Sequence, residues 1–210
     1  MKRKPFAGPT VSLTDQFGNA TVPVQRPERL CAPADKNGED PTAPADPAHL
    51  VGYMIRHPFL KVLRQRIVNQ FGETFVDVTQ PDGLMVPTAK SLAGAPVPLA
   101  SALPPGSFQC YRVRRSAETP AFHRIPAVQV EDQFGAITLG VIKPRLLCAP
   151  VDTDGDDPAA PTRPDHLLCY KTRQTSGFPQ LPLFIANDVG PASVEIIRRM
   201  DFCVPSLKNP

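Results

Sequence analysis

The chain has no tryptophan, and aromatic residues make up only 7% of it. It therefore lacks the stacking platform on which single-stranded nucleic acid is bound. Twenty-three basic and 20 acidic residues are interleaved to a net charge of +3, with no basic stripe to track phosphates. Nucleic acid is accordingly not expected as a partner. The densest basic cluster, Arg112, Arg114 and Arg115, follows Tyr111, and its alternation fits the solvated face of a strand. No window reaches the ~20 apolar residues of a membrane-spanning helix, and Met1–Pro5 is basic with no apolar stretch behind it, so no signal peptide is read there. Gly-x-Ser-x-Gly, His-Glu-x-x-His and glycine-rich phosphate loops are missing, and so are the nucleophile, zinc-protease and nucleotide sites they would build. Without a Cys-x-x-Cys pair there is no basis for a zinc ribbon or a dithiol redox centre. Carboxylates gather in loops rather than as an isolated pair in apolar surroundings, which gives no footing to glycosidase chemistry. No catalytic residue is assigned, and a non-enzymatic protein is expected.

Proline and repetition are abundant. Twenty-seven prolines are spread along 210 residues. An interior proline costs a helix about 3 kcal/mol, so long helices are disfavoured and short strands with stiff connections are favoured. Asp15-Gln16-Phe17-Gly18 returns as Asn69-Gln70-Phe71-Gly72 and Asp132-Gln133-Phe134-Gly135, and more faintly as Asn187-Asp188-Val189-Gly190. Each follows an alternating apolar run and precedes a Cys-x-Pro-like element: Cys31-Ala32-Pro33, Met85-Val86-Pro87, Cys148-Ala149-Pro150 and Cys203-Val204-Pro205. Such self-similarity marks one supersecondary unit copied several times.

Each unit reads as a hairpin, a Cys-x-Pro strand, a loop, and a strand ending in Cys-Tyr or its equivalent. Units one and three share Cys-Ala-Pro, an Asp-Pro-x-Ala-Pro loop and a His-Leu strand opening, so the pattern is a duplication of a duplication. The expected fold is all-β, with about sixteen short strands in tandem β-sandwich-like units. The expected halves are residues 1–115 and 116–210. Ser193–Met200 has helical composition but falls where the repeat places the return strand of a hairpin, and is assigned as strand. The chain opens with Met1-Lys2-Arg3-Lys4-Pro5-Phe6, which matches Met54-Ile55-Arg56-His57-Pro58-Phe59. It thus starts just after a Cys-Tyr strand and ends just before one. This reads as a segment of a longer array, or as a subunit completed by a neighbour.

Two pairing rules compete for the five cysteines. Pairing within a unit gives only Cys148–Cys169. Pairing each Cys-Tyr cysteine with the Cys-x-Pro cysteine of the next unit gives Cys110–Cys148 and Cys169–Cys203 and leaves Cys31 unpaired. The second rule is preferred because it makes Gly52 and Met85 a single missing bridge. Buried free thiols in a reducing compartment are the alternative. Bridges imply an oxidising compartment, hence an extracellular or cell-surface location.

The acidic loops are the candidate metal site. Asp152, Asp154, Asp156 and Asp157 match Asp35, Asn37, Glu39 and Asp40, and calcium is the ion such oxygen-rich turns suit. The glycine does not stand where an EF-hand needs it, Lys36 intrudes in one copy, and a solvated Asp-Gly turn is the competing reading. His166 and Cys169 fall on opposite faces of a strand and cannot share an ion. Phe17, Phe71 and Phe134, at the hairpin tips, are either exposed binding aromatics or staples folded back onto their units.

The spaced set Asp-Gln-Phe-Gly, Leu-Cys-x-Pro, His-Leu-x-Cys-Tyr resembles a β-repeat module found side by side in predicted secreted or surface proteins of environmental bacteria. The likeness runs from Val11 to Lys208 and departs at Gly52, Met85 and Asn187-Asp188-Val189-Gly190. It brings no activity with it. The expected function is an extracellular structural or adhesive repeat, a subunit of a surface assembly or filament that self-associates or meets a neighbouring repeat head-to-tail. The alternative is a calcium-dependent module for a glycan or other ligand.

Overall fold

The computed structural model describes residue 6 and residues 8–94, 106–174, 178 and 180–210. Met1–Pro5, matched above to Met54–Pro58, lies outside them. The fold is all-β. In chain order the strands are β1 Thr10–Asp15, β2 Gly18–Pro23, β3 Pro27–Cys31, β4 Ala34–Lys36, β5 Leu50–Met54, β6 Val62–Asn69, β7 Gly72–Pro87 and β8 Ala89–Ser91. They continue with β9 Phe108–Arg115, β10 Ile125–Asp132, β11 Gly135–Pro150, β12 Asp152–Thr153, β13 His166–Gln174, β14 Leu181–Ala186, β15 Ala192–Ile196 and β16 Asp201–Lys208. Single 3₁₀ turns at Ala43–Ala45 and Ala160–Thr162 are the helical elements among the described residues. Of the stretch of helical composition, Ser193–Ile196 lies in β15, which pairs with β14 from Leu181↔Ile196 to Ile185↔Ala192, whereas Ile197–Met200 is neither strand nor helix.

The hairpins follow from side-chain chemistry at their turns. Asp15 Oδ1, Asn69 Oδ1, Asp132 Oδ1 and Asn187 Oδ1 each accept the backbone N–H two residues on, at 2.7–3.1 Å. These Asx turns set the reversal. Gly18, Gly72, Gly135 and Gly190 then take φ between 101° and 134°, where a side chain would be strained. Alternation places the apolar face: in β1, Val11 and Leu13 are buried while Thr10, Ser12 and Thr14 are exposed.

β7 and β11 are long enough to serve two layers. β7 pairs with β6 through Val78 and with β5 from Gly83 onward. Register shifts between Val78 and Gln80 and between Pro81 and Gly83 bend it on the way. β11 shifts likewise near Lys143 and Pro144.

Two kinds of pairing result. The first is a run of seven antiparallel neighbours, β3-β5-β7-β9-β11-β13-β16. The second joins each tail after a Cys-x-Pro element to a distant hairpin. β4 pairs with β10, β8 with β14, β12 with β1, and Leu207-Lys208 of β16 with β6. All four of these pairings cross the boundary expected near residue 115.

The core lies in three clusters. One, around Tyr111, Tyr170, Leu147 and Leu168, lies under the hairpins β6–β7 and β10–β11. A second, around Tyr53, Leu84 and Leu13, lies under β1–β2 and β14–β15. The third fills the inside of the seven-strand run with Leu50, Met85, Phe108, Leu146 and the cysteines. Cys110–Cys148 joins β9 to β11, and Cys169–Cys203 joins β13 to β16, each between directly opposed residues. Gly52 opposes Met85 in the same way between β5 and β7.

Candidate functional site: the open seam between β3 and β16

The seven-strand run curls until its end strands face one another. Arg29 Nε of β3 lies 3.8 Å from Asp201 Oδ2 of β16, and both strands line a cavity of about 730 Å3. Among the described residues β3 pairs only with β5, and the Asp201–Ser206 part of β16 only with β13. Each strand therefore turns an unpaired edge to the cavity. Such edges are templates for another strand.

Charge organises the seam. Arg29 Nη1 sits 2.7 Å from Asp82 Oδ2, and Arg112 Nε donates to Asp82 Oδ1 at 2.7 Å. Arg145 Nη1 donates to Asp201 Oδ1 at 2.8 Å. Neither Arg29 Nε nor Asp82 Oδ2 makes a well-directed hydrogen bond. Ion pairs this buried fix geometry more than they add stability. Cys31 is free, its Sγ 3.8 Å from Met85 Sδ, and burial pushes its thiol up to about 11. At neutral pH it is a protonated, apolar thiol rather than a nucleophile.

Away from the seam, each tyrosine of the Cys-Tyr strands reaches the Asx residue of a hairpin turn. Tyr111 donates to Asp15 Oδ2 at 2.6 Å. Asn69 Nδ2 donates to Tyr170 Oη at 2.9 Å, and Asn187 Nδ2 to Tyr53 Oη at 2.9 Å. Burial raises Asp15 against the lowering effect of the Tyr111 hydroxyl, and pushes Tyr170 up to about 12. A phenylalanine packs on each ring: Phe59 on Tyr111, Phe122 on Tyr170 and Phe6 on Tyr53, with centroids 4.9, 5.1 and 6.0 Å apart. The chain has three tyrosines, and all three are used in this way.

The fourth turn is different. Asp132 receives Arg199, Nη2 to Oδ1 at 3.1 Å. Phe134 lies edge-on to Phe178, centroids 5.8 Å apart, with the Arg199 guanidinium 4.8 Å from the Phe178 ring. Asp132, Phe134, Phe178 and Arg199 all line the seam cavity. Sequence reasoning missed Arg29, Asp82, Asp201, Phe178 and Arg199. The phenylalanines that follow the tyrosines are unevenly spaced, which hides the one regularity that could have shown Phe178.

Two of the four histidines, His49 and His166, are held by the fold. His49 Nδ1 and His166 Nδ1 donate to the carbonyls of Pro47 and Pro164 at 2.8 and 2.7 Å. Their Nε2 atoms then accept from the amides of Gln133 and Gln16. Burial lowers both histidines, which fits these neutral tautomers. Gln70, the matching glutamine of the second unit, lines the seam cavity.

In the acidic loops the side chains are engaged by the protein itself. Asp35 and Asp152 accept the N–H of Asp40 and Asp157, at 2.9 Å each. Asn37 Oδ1 accepts from Gln129 N, and Asp154 Oδ1 from Ser12 N. Asn209 Oδ1 accepts from Arg66 N in the same way. All three residues adopt φ near +55° and extend the tail-to-hairpin pairing by one side chain. Glu39 pairs with Lys36 and Asp157 with Arg163, while Asp156 is exposed. Among the described residues no three His, Cys, Asp or Glu side chains are grouped to hold a metal. The tip aromatics Phe17 and Phe71 pack on Tyr111 and Tyr170 at 5.0 and 5.2 Å. Arg112 and Arg114, though exposed, reach back to Asp82 and Asp77. Among the described residues no helix is long and apolar enough to cross a membrane.

The chain matches no protein-family model, no curated protein and no solved structure. The site must be read from its own geometry.

Proposed function

We propose that the protein is a non-enzymatic structural module of an extracellular or cell-surface assembly, joined to its neighbours by strand addition at the open seam. The observation that carries the reading is the pair of unpaired edges, β3 and β16, facing one cavity in an otherwise bridged and densely paired β structure. Main-chain hydrogen bonds along an edge give affinity, and pockets for alternate side chains give specificity. Two disulfides support an oxidising compartment. The polar side chains at the seam are tied up in ion pairs, an arrangement suited to holding geometry rather than activating a substrate. Native, unreduced material viewed by electron microscopy, with its mass measured in solution, is expected to form head-to-tail assemblies. A uniform monomer of 22.8 kDa would contradict the reading.

A further inference from the structure

We infer that the seam takes one extended strand of the His-Leu-x-Cys-Tyr type, supplied from outside these 210 residues, antiparallel to both β3 and β16 and disulfide-bonded to Cys31. The inference rests on the strand-addition reading above and names the strand.

Direction comes first. In a run of seven antiparallel strands the first and last point the same way. An antiparallel ladder cannot form directly between β3 and β16, but a single strand between them is antiparallel to both. It would close an eight-stranded ring and leave no edge.

Register comes next. Cys148 and Cys203 oppose Cys110 and Cys169, the cysteines of Cys-Tyr strands. Cys31 is the third Cys-x-Pro cysteine, and its outer edge is free. On its other side, the cysteine of each Cys-Tyr strand opposes the residue two before the Cys-x-Pro position of its own unit: Gly83 faces Cys110, and Leu146 faces Cys169. Asp201 stands in that place relative to Cys203. The incoming cysteine therefore lies between Cys31 and Asp201. Arg29 and Asp201 separate without being orphaned, because Asp82 and Arg145 already hold them.

Side chains complete the fit. Three hairpin turns hold a tyrosine through an Asx residue and a phenylalanine, and the fourth offers Asp132, Phe134 and Phe178 with no tyrosine between them. The strand's tyrosine follows its cysteine and so points to the opposite face. It donates to Asp132 Oδ2 and displaces Arg199. The strand's histidine meets Gln70, as His166 meets Gln16. β5, β9 and β13 are the strands of this kind in the chain, and each is already paired on both sides. A folded second copy has none to lend.

The test uses a peptide copying Arg163–Thr172, with its cysteine carried as a mixed disulfide to pyridine-2-thiol. At alkaline pH, where a fraction of the Cys31 thiol is ionised, its thiolate attacks the peptide sulfur, the protein–peptide S–S bond forms, and pyridine-2-thiolate leaves with the bonding electrons, so no other oxidant is needed. The expected result is a 1:1 adduct at Cys31, formed at least about tenfold faster than with a scrambled peptide of the same composition. Amide exchange should slow in both Glu28–Cys31 and Asp201–Ser206. The C31S variant should show the same two-sided slowing with no adduct. Equal rates for the scrambled peptide, or slowing on one strand only, would overturn the inference. If the peptide fails while native material is still assembled, the strand's identity falls and the structural reading stands. If native material is monomeric as well, both fall.

Discussion

The side of the molecule built on β9, β11, β13 and β16 and the side built on β3, β5 and β7 are the same motif with different bonds. On the first, opposed positions carry Cys110–Cys148 and Cys169–Cys203. On the second, the equivalent positions are Gly52 facing Met85, and Cys31 facing nothing. Gly52 and Met85 still pack: a Cβ on Gly52 would stand 3.3 Å from Arg29 Cβ and 3.7 Å from Met85 Cγ, so the methionine fills the space of a bridge. Cys31 has no such filler beyond Met85 Sδ. A missing bridge between two present strands is repaired by packing, whereas a missing strand leaves an edge and a cavity.

The contrast should break most clearly at the sulfurs. Removing the Cys169–Cys203 bridge as a double alanine variant opens a 34-residue loop and should cost about 3–4 kcal/mol in denaturant melts. Cys31→Ser should stay within about 1 kcal/mol of the parent. Equal losses would mean that Cys31 is already engaged.

Next come the tyrosines. Tyr170→Phe removes a buried hydroxyl that Asn69 needs and should cost about 1–2 kcal/mol. Arg199→Ala, at the turn without a tyrosine, loses a partly exposed ion pair and should cost no more than about 1 kcal/mol. The same variant should speed addition of the strand peptide, since Asp132 is freed.

Smaller still is the effect of Asn37→Ala. It deletes one side-chain bond to the Gln129 amide and should cost about 1 kcal/mol while selectively speeding exchange in β4 and β10. The pH dependence is a finer probe. His49 and His166 are lowered by burial, so their neutral forms are favoured in the fold and their contribution is complete above pH 6.5. Stability should fall as pH drops below 6.5, and the fall should shrink in the His49→Gln, His166→Gln double variant.

Much of this fold was legible in the chain. Asx-x-x-Gly after an alternating run specifies a hairpin by local chemistry, and all four instances are hairpins. Motif position also selected the bridge rule, because Gly52 and Met85 fail together. What could not be read was which copy pairs with which. Identical motifs carry the same local instructions, so nothing in Ala34-Asp35-Lys36 says that it meets β10 rather than its own hairpin β1–β2. The acidic loops show the same gap: Asn37 and Asp154 look like ligand residues in sequence, but here their oxygens meet backbone amides more than 90 residues away. The seam was visible as an unpaired cysteine. Its charged lining and the turn at Asp132 needed the curl of the seven-strand run to bring them together.

The most direct measurement is residue-resolved amide hydrogen exchange on the isolated, unreduced chain. An open seam predicts fast exchange for the outward amides of Glu28–Cys31 and Asp201–Ser206, beside slow exchange in β9, β11 and β13, which are paired on both sides. Protection of β3 and β16 equal to that of β11 would mean the seam is closed, and would contradict the account.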